Sequence, residues 1–488
     1  MKVEFPDAKI LTSSTIPAGN FTPVAGAATE ANMPSFCRVS ARVNPEVNVE
    51  VWLPVKDWNR RFLGTGNGGF AGSIQSYPVM ADGLRRGFAV AATDAGHVGT
   101  LGDASWALGS NQRIVDFGDR ALHQMTLKAK DVISKFYGTG PDRSYYNGCS
   151  TGGRQGLMEA QRYPGDYDGI VAGAPANHMV AQQIGHTGRA FALYENPSSA
   201  IPSAKIPLLA KTVLQQCDSI DGVTDGVLDD PRQCKLDLSS IACTTGDSST
   251  CLTQPQITAI TKIYAGTKNP RTGATLFPGY FPGGEEGTGG WAFTGSFGGP
   301  PATGTSWMRY AVFEDPNWDW RTFDFDSQAD KAFAKLSSLV DATNPDLGAF
   351  QRRGGKLIQY HGWSDIYITP QVSVDYASAV KATMGSSTAD SFYRLYMVPG
   401  MQHCQGGPGP NLFGGSSQGA PVKADPTNDV LSAVMAWVEQ GQAPSHIVSS
   451  RRGSNGEVER TRKLCPFPQR AVYSGTGSTN AEASFVCH

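Results

Sequence analysis

The sequence predicts an α/β fold with a mostly parallel sheet and a large insertion, and three observations support this prediction. Short β-like runs alternate with helix-like runs up to residue 175, and the alternation resumes at residue 356. The pattern Gly-x-Ser-x-Gly at residues 148–152 lies between a β-like and a helix-like run, as a strand–turn–helix junction requires. Between residues 178 and 345 the alternation is replaced by long stretches rich in glycine, proline and aromatic residues.

Length and composition are those of a globular protein with few charges. The chain has 488 residues, of which 40% are hydrophobic and 17% are charged. Because this length exceeds one ordinary core, we expect a main domain of residues 1–177 and 346–488, with residues 178–345 inserted. The net charge of −2 gives no electrostatic basis for binding nucleic acid or an anionic membrane. No apolar run approaches the ~20 residues needed to cross a bilayer.

The first part of the main domain is predicted to supply most of the parallel strands. We expect loops before residue 49. The strand-like runs after that point are residues 49–54, 60–63, 88–93, 143–146 and 169–175. Helical periodicity marks residues 112–137, and a further helix-like run at 154–162 follows the Gly-x-Ser-x-Gly pattern. This alternation predicts a doubly wound sheet with helices on both faces.

The inserted segment is interpreted as a lid over a site in the main domain. It contains a helix-like run at residues 206–216 and more aromatic side chains than a solvated loop usually holds. Those in or beside its glycine-rich part are Trp291, Phe293, Phe297, Trp307 and Tyr310. The alternative is that these aromatics form only the insertion's own small core. Strand-like runs ending before Asp365 and at Val398, and a helix at residues 428–439, complete the main domain.

Ser150 is the central residue of the Gly-x-Ser-x-Gly pattern and is the candidate nucleophile. A residue at such a turn takes an uncommon backbone angle, which the small neighbours Gly148 and Gly152 permit. The hydroxyl then projects from the sheet edge, and the following helix directs its free N-terminal amides towards any oxyanion formed there. The alternative is a glycine-rich turn without a catalytic role.

Ser150, Asp365 and His403 follow three predicted strands, in the chain order typical of α/β-hydrolases. Because the carboxyl ends of parallel strands share one sheet edge, we expect the three side chains to meet there. Ser150 would attack a carbonyl carbon, His403 would accept the serine proton, and Asp365 would fix the imidazole tautomer. The amides of Gly69 and Thr151 would bind the oxyanion.

Other residues compete for these roles. Asp94 is the alternative acid, although with His97 it could instead brace the glycine-rich loop of residues 64–72. His361 ends the strand that precedes Asp365, and we interpret it as a packed supporting group.

The nine cysteines predict disulfides formed in an oxidising compartment. Cys149 directly precedes Ser150 and Cys404 directly follows His403, so a bridge between these cysteines would hold nucleophile and base in register. In the chain-entropy model such a crosslink contributes roughly 5 kcal/mol. The other close pairs are Cys217/Cys234, Cys243/Cys251 and Cys465/Cys487, which leaves Cys37 unpaired. The alternative is a cytosolic protein with nine free thiols.

The first residues, 1–6, contain no apolar core of the kind that a signal peptide has. We expect a secreted or periplasmic protein whose export signal, and the partner of Cys37, precede Met1.

An acidic segment at residues 218–230 predicts a site for a hard cation. Its oxygen donors are the carboxylates of Asp218, Asp221 and Asp225 and the carbonyls of Val223 and Val227. An all-oxygen set suits calcium, although the spacing differs from that of an EF-hand. Because nothing nearby is a nucleophile, we expect a structural ion. The alternative is an acidic turn closed by the Cys217–Cys234 bridge.

Taken together, these motifs resemble the tannase and feruloyl esterase family, which also includes hydrolases of mono-hydroxyethyl terephthalate. The resemblance covers nearly the whole chain. The motifs that carry it are GCSTGGR at 148–154, DGIVAGAP at 168–175, CDSIDGVTDGV at 217–227, HGWSD at 361–365 and PGMQHC at 399–404.

This resemblance implies an α/β-hydrolase fold, the serine, aspartate and histidine triad named above, the Cys149–Cys404 bridge, and the calcium site in the lid. It implies a secreted or periplasmic esterase that acts on small aromatic esters, of the feruloyl type that plant cell walls contain. The alternative substrates are gallate esters, as for tannases, and terephthalate monoesters. The alternative to an enzyme is a calcium-stabilised binding module without catalysis. The terephthalate-monoester enzymes hold their substrate's carboxylate with a lid arginine, and residues 289–307 contain no arginine, although Arg309 lies just beyond.

Overall fold

A computed structural model describes residues 5–287, 289–291 and 302–488 of the chain. Two of the aromatics assigned to the lid, Phe293 and Phe297, lie outside the described residues. The described part is organised around a central sheet of nine strands. In chain order they are β1 Ala8–Ile16, β2 Phe36–Val43, β3 Val47–Pro54, β4 Arg61–Thr65, β5 Ala89–Thr93, β6 Arg143–Cys149, β7 Gly169–Gly173, β8 Lys356–Gly362 and β9 Tyr393–Val398.

The strands lie in the order β1-β2-β3-β5-β4-β6-β7-β8-β9 across the sheet. The three neighbouring pairs from β1 to β5 are antiparallel. The five pairs from β5 to β9 are parallel. The predicted α/β-hydrolase fold with a mostly parallel sheet is therefore confirmed, and the carboxyl ends of the parallel strands share one edge.

The start of the chain differs from the prediction of loops before residue 49. There β1 and β2 form the antiparallel edge of the sheet, and a small hairpin pairs Gly19–Phe21 with Glu30–Met33. β1 has the sequence AKILTSSTI, and most of its side chains are exposed. An edge strand of this kind has no buried face, so no apolar alternation marks it in the sequence.

Thirteen α-helices occur in the described residues. They are α1 Tyr77–Arg85, α2 Asn111–Val115, α3 Ala121–Tyr137, α4 Thr151–Arg162, α5 Met179–Tyr194, α6 Ile206–Cys217, α7 Gln254–Ala265, α8 Ala302–Trp307, α9 Ser327–Val340, α10 Gly348–Arg352, α11 Gln371–Met384, α12 Ser386–Asp390 and α13 Val430–Gln440. A π-helical turn at Asp116–Arg120 joins α2 to α3, so the helix predicted at residues 112–137 is continuous. Three further strand pairs are Thr267–Lys268 with Thr275–Phe277, Ile447–Arg452 with Val458–Leu464, and Ala471–Tyr473 with Phe485–Cys487.

Hydrophobic side chains bury the central sheet on both faces. In β4, Phe62 packs in a cluster that includes residues of α3 and α4, whereas the next residue, Leu63, packs in a second cluster with residues of α1 and α13. Tyr146 and Tyr145 of β6 divide between the two clusters in the same way. Burial on both faces explains why two consecutive residues of each strand are large and hydrophobic or aromatic, without polar residues alternating between them.

The stretch between Gly173 and Lys356 adds no strand to the central sheet within the described residues. Part of it joins the main core, because Trp307 packs in the same cluster as Phe62. Another part has a cluster of its own, which contains Trp291. Trp291 and Trp307 therefore belong to two different cores.

The four predicted disulfides are confirmed. They are Cys149–Cys404, Cys217–Cys234, Cys243–Cys251 and Cys465–Cys487. Cys37 keeps a free, buried thiol. Among the described residues, no helix is both long and apolar enough to cross a membrane.

Candidate active site

Ser150 lies at a sharp turn between β6, which ends at Cys149, and α4, which begins at Thr151. Its backbone has φ 66° and ψ −123°, a conformation that residues with a side chain rarely adopt. Its amide donates to the carbonyl of Gly173 at the end of β7 over 3.0 Å, which anchors the turn to the neighbouring strand.

Close packing explains why glycines flank Ser150. A β-carbon at Gly152 would lie 3.1 Å from the Cα of Gly66, and one at Gly148 would lie 2.8 Å from the carbonyl carbon of Gly152. Because the backbones approach this closely, the turn has no room for side chains at either position.

The structure brings Ser150, His403 and Asp365 together at the carboxyl ends of β6, β9 and β8. Nε2 of His403 lies 2.9 Å from Oγ of Ser150, and Nδ1 of the same ring lies 2.7 Å from Oδ2 of Asp365. The Asp365 side chain is fully buried, whereas that of His403 is 19% exposed. The geometry is that of a nucleophile, a base and an orienting acid.

Four N–H groups surround the carboxylate of Asp365. Its Oδ1 accepts from the amides of Tyr367 at 2.8 Å and Ile368 at 3.0 Å. Its Oδ2 faces the rings of His403 and His361, the latter at 3.2 Å. Burial raises the pKa of Asp365, but the charge of His403 and the hydrogen bonds from both histidines outweigh it, so the pKa lies well below its usual value. Asp365 is therefore an anion at neutral pH.

The amides of Gly69 and Thr151 lie on two segments that contact each other. Oγ1 of Thr151 donates to the carbonyl of Gly69 over 2.5 Å, and the amide of Gly152 donates to the carbonyl of Asn67 over 2.7 Å. Within the described residues, no acceptor pairs with the amide of Gly69 or of Thr151. Both groups are therefore available to a ligand.

Asp94 and His97 support the glycine-rich loop and do not contact His403. The backbone carbonyl of Asp94 accepts from the amide of Gly72 at 3.2 Å. Nε2 of His97 lies 2.7 Å from the carbonyl of Phe70, and its ring stacks on Trp106 with centroids 3.8 Å apart. The carboxylate of Asp94 accepts from the amides of Asn48 at 3.0 Å and Gly96 at 2.9 Å, and Nδ1 of His403 pairs with Asp365 instead.

In the acidic segment, the three predicted carboxylates accept hydrogen bonds from the segment's own backbone. Asp218 accepts from the amide of Gly226, at 3.1 and 3.0 Å to its two oxygens. Asp221 accepts from Val223 at 3.0 Å, and Asp225 accepts from Val227 at 3.2 Å. These bonds fold the segment into a compact acidic loop.

A fourth carboxylate, Asp229, lies in this loop, and Arg462 contacts it, although neither was among the predicted ligands. Burial raises the pKa of Asp229 to about 7, opposed by Arg462 and helped by the charges of Asp221 and Asp225. Arg462 also donates to Oδ2 of Asp225 at 2.6 Å. Arg462 comes from a strand far along the chain, so no local sequence signal links it to the acidic loop.

A different group of side chains has the spacing of metal ligands. Nitrogen and carboxylate atoms of His123, Glu159 and Asp166 all lie within 4.8 Å of one another, and this is the only such group among the described residues. His123 contacts Asp166 at 2.6 Å, and the ammonium of Lys130 donates to the carbonyl of Asp166. The contact between His123 and Asp166 thus already pairs two of the three candidate ligands with each other.

Comparison with known proteins gives consistent matches. A family model described as tannase and feruloyl esterase matches residues 31–488. A probable feruloyl esterase B-1 of Aspergillus terreus is 37% identical over 466 residues, covering 93% of this chain and 86% of that protein. An uncharacterized esterase of Xanthomonas campestris is 37% identical over 521 residues, covering 100% of this chain and 90% of that protein.

Solved structures show the same similarity. Feruloyl esterase B from Aspergillus oryzae superposes with a TM-score of 0.93 at 32% identity, over 100% of this chain and 98% of that one. Tannin acyl hydrolase from Aspergillus niger superposes with a TM-score of 0.79 at 24% identity, over 99% of this chain and 92% of that one. The second similarity concerns the fold alone.

Proposed function

The chain belongs to the tannase and feruloyl esterase family, and we propose that it hydrolyses aromatic carboxylic esters of the feruloyl type with Ser150 as nucleophile. Its relatives establish the coarser activity, that of a carboxylic ester hydrolase. The observation that carries the proposal is the series of contacts from Ser150 through His403 to Asp365, at 2.9 and 2.7 Å.

In the proposed reaction, Oγ of Ser150 attacks the ester carbonyl carbon while Nε2 of His403 accepts the serine proton. The imidazolium then gives this proton to the leaving alcohol oxygen, which leaves the aromatic acid bound to Ser150 as an ester. A water molecule, deprotonated by His403, attacks the acyl carbon and releases the acid. Asp365 stabilises the imidazolium through the Nδ1–H bond in both halves of the reaction.

The proposed oxyanion site consists of the amides of Gly69 and Thr151. Each would donate to the carbonyl oxygen as it becomes negatively charged, and each contributes roughly 3 kcal/mol to the barrier reduction. The bond from Oγ1 of Thr151 to the carbonyl of Gly69 supports this assignment, because it holds the two donor segments in contact.

Residues 178–345 are proposed to form a lid domain. Support comes from contacts with the loops that carry Asp365 and His403. Oε1 of Gln402 accepts from the amide of Gly289 at 3.0 Å, and its amide donates to the carbonyl of Glu286. Nε2 of His186 lies 2.9 Å from the carbonyl of Tyr367.

The acidic loop is proposed to hold a structural calcium ion. Asp218, Asp221, Asp225 and the carbonyls of Val223 and Val227 would be its ligands, and an all-oxygen donor set suits this ion. Burial raises the pKa of Asp221, and the charges of Asp225 and Asp218 raise it further, which is a repulsion that a cation would relieve. The bound ion would supply positive charge that keeps the loop folded.

We place the protein in the extracellular or periplasmic space. Four disulfides support this location, because cytosolic thiols are kept reduced.

A panel of methyl ferulate, methyl caffeate, methyl gallate and mono-hydroxyethyl terephthalate tests the proposed substrate. We expect the highest kcat/KM for methyl ferulate or methyl caffeate. Preference for methyl gallate would make the chain a tannase. Arg309 donates to the carbonyl of Trp318 at 3.3 Å, so it is already engaged within the lid, and we expect poor hydrolysis of the terephthalate monoester. Absence of hydrolysis and of labelling by an organophosphonate would favour a binding module.

A further inference from the structure

His361 contacts the carboxylate that orients the proposed base. Its Nε2 lies 3.2 Å from Oδ2 of Asp365 and 3.1 Å from the carbonyl oxygen of Ile368. Both oxygens can only accept hydrogen bonds, because Asp365 is ionised and a peptide carbonyl has no hydrogen. Nε2 of His361 must therefore carry a hydrogen and donate it.

The other ring nitrogen of His361 lies 2.7 Å from the hydroxyl of Ser373, and that hydroxyl lies 2.7 Å from the side-chain amide nitrogen of Gln359. An amide NH2 group only donates, so Oγ of Ser373 accepts from Gln359. The single hydrogen of the Ser373 hydroxyl is then free to point at Nδ1 of His361. When that hydrogen is donated to Nδ1, Nδ1 is an acceptor and Nε2 carries the only ring hydrogen of His361.

The hydroxyl of Tyr393 sets the orientation of the Gln359 side-chain amide. Its amide oxygen accepts from the hydroxyl of Tyr393 at 2.7 Å, which leaves the NH2 group facing Ser373. All four side chains are buried: His361, Gln359 and Ser373 are fully enclosed and Tyr393 is 2% exposed. With the Gln359 amide in this orientation, the hydrogen bonds of the series can all run in one direction, from Tyr393 towards Asp365.

From this one-way series we infer that His361 is a positioning residue, which holds Asp365 in place as a neutral N–H donor whose tautomer Tyr393, Gln359 and Ser373 determine. This inference rests on the proposed function of Asp365. A neutral donor fixes the carboxylate without cancelling its charge, so the full charge remains available to His403. An imidazolium at His361 would instead pair with Asp365 and compete with His403 for it.

The tautomer can be measured without any assay of activity. In protein labelled with 15N-histidine, the ring nitrogens of His361, assigned by their loss in His361→Gln, should show Nε2 protonated and Nδ1 unprotonated at the pH of maximal activity. Protonation of Nδ1, in either the other tautomer or the imidazolium, would overturn the inference. This result stands apart from the proposed function, which fails separately if Ser150→Ala stays active.

Kinetic variants test whether the series acts on catalysis. We expect Ser373→Ala to lower kcat about tenfold with KM unchanged, because Nδ1 of His361 loses the hydrogen bond from Ser373 that favours the neutral ring. Tyr393→Phe should lower kcat in the same direction and by less. The matched control is Tyr396→Phe, since Tyr396 lies on the same strand, is fully buried, and donates at 2.7 Å to the carbonyl of Pro444 outside the series. Equal kcat in Ser373→Ala and in this control would contradict the inference.

Two substitutions of His361 separate positioning from packing. His361→Gln places an amide N–H near the former Nε2 and cannot become a cation, so it should retain kcat within about tenfold of the wild type. His361→Leu fills the same space without a donor, and we expect at least a further tenfold loss of kcat. If both variants lose activity equally while their melting temperatures agree, the donor has no role and the inference is wrong.

Discussion

Cys149 and Cys404 are separated by 255 residues in the chain, yet a disulfide joins them and their Cα atoms lie 6.0 Å apart. The bridge links the residue before Ser150 to the residue after His403. It therefore connects the turn after β6 to the loop after β9, and covalent bonds limit the separation of the proposed nucleophile and base.

Removal of this bridge should impair catalysis before it unfolds the protein. We expect Cys149→Ala/Cys404→Ala to lower kcat at least tenfold, because a small displacement of His403 from Ser150 is enough to slow proton transfer. The free energy of unfolding should fall by roughly 5 kcal/mol at most. Ester hydrolysis measures kcat and urea denaturation measures the free energy of unfolding, both at a temperature where the variant is folded.

The matched control for the bridge is Cys243→Ala/Cys251→Ala, which opens a disulfide with a sequence separation of only 8 residues in the inserted segment. This variant should keep its kcat. A Cys149→Ala/Cys404→Ala enzyme as active as this control would show that the bridge is dispensable.

Replacement of the proposed nucleophile should remove activity and labelling together. We expect Ser150→Ala to lose at least about 1,000-fold in kcat, since the remaining binding and oxyanion contacts still contribute some catalysis. Incubation with an organophosphonate and mass spectrometry of the peptides should place the adduct on Ser150 in the wild type. An adduct on another residue, or an active Ser150→Ala enzyme, would refute the role of Ser150.

Gly69 offers a test of the proposed oxyanion site. It has φ +50°, and a β-carbon there would collide with the carbonyl oxygen of Leu101. We expect Gly69→Ala to move the amide and to lower kcat by about 100-fold or more, with a smaller effect on KM. Gly109→Ala is the control, because Gly109 has φ +65° but nothing within 4 Å of its added β-carbon. Equal kcat losses would mean that backbone strain alone is responsible.

Much of the fold and of the candidate site could be predicted from local sequence. The strands from β3 to β9 are marked by apolar, alternating or other β-like runs. The turn at Ser150 is marked by glycines, which the close approach of the Gly66 and Gly152 backbones requires. The disulfide at Cys149 was predictable because both cysteines adjoin candidate catalytic residues. The catalytic roles themselves stay predictions, although the distances agree with them.

The remainder depends on contacts between distant segments. Arg462 reaches the acidic loop from the last part of the chain, and Ser373 reaches His361 from the helix after β8. Polar residues that are paired in the core carry no periodic signal, because hydrogen-bond geometry and not hydropathy selects them. Strand β1 was not predicted for a different reason. Most of its side chains are exposed, so its sequence shows no apolar alternation.

Removal of calcium should destabilise the protein more than it affects the chemistry of catalysis. We expect EDTA to lower the melting temperature, and excess calcium at about 100 times its Kd to restore about 2.7 kcal/mol. Asp221→Asn should abolish this dependence, because Asp221 is a proposed ligand. The control is Asp237→Asn, since Asp237 is exposed and outside the acidic loop. No effect of EDTA, with no calcium found by elemental analysis, would refute the site.

His186 should make the free energy of unfolding depend on pH. Burial, the charge of Arg189 and other neighbours lower its pKa from 6.5 to about 3, although a hydrogen bond to the carbonyl of Tyr367 opposes this. Because the folded-state pKa lies below the unfolded-state value, this contribution to stability is complete above pH 6.5 and is lost as the pH falls towards 3. The loss approaches about 1.4 kcal/mol per pH unit for one such group.

His186→Gln isolates this contribution, because glutamine can still donate to Tyr367 but does not titrate. Between pH 6.5 and the folded-state value, its free energy of unfolding, measured by urea denaturation, should fall less steeply than that of the wild type. His488→Gln, at the exposed end of the chain, is the control and should follow the wild type. Parallel curves for His186→Gln and the wild type would show that His186 takes up its proton as readily in the folded protein as in the unfolded chain.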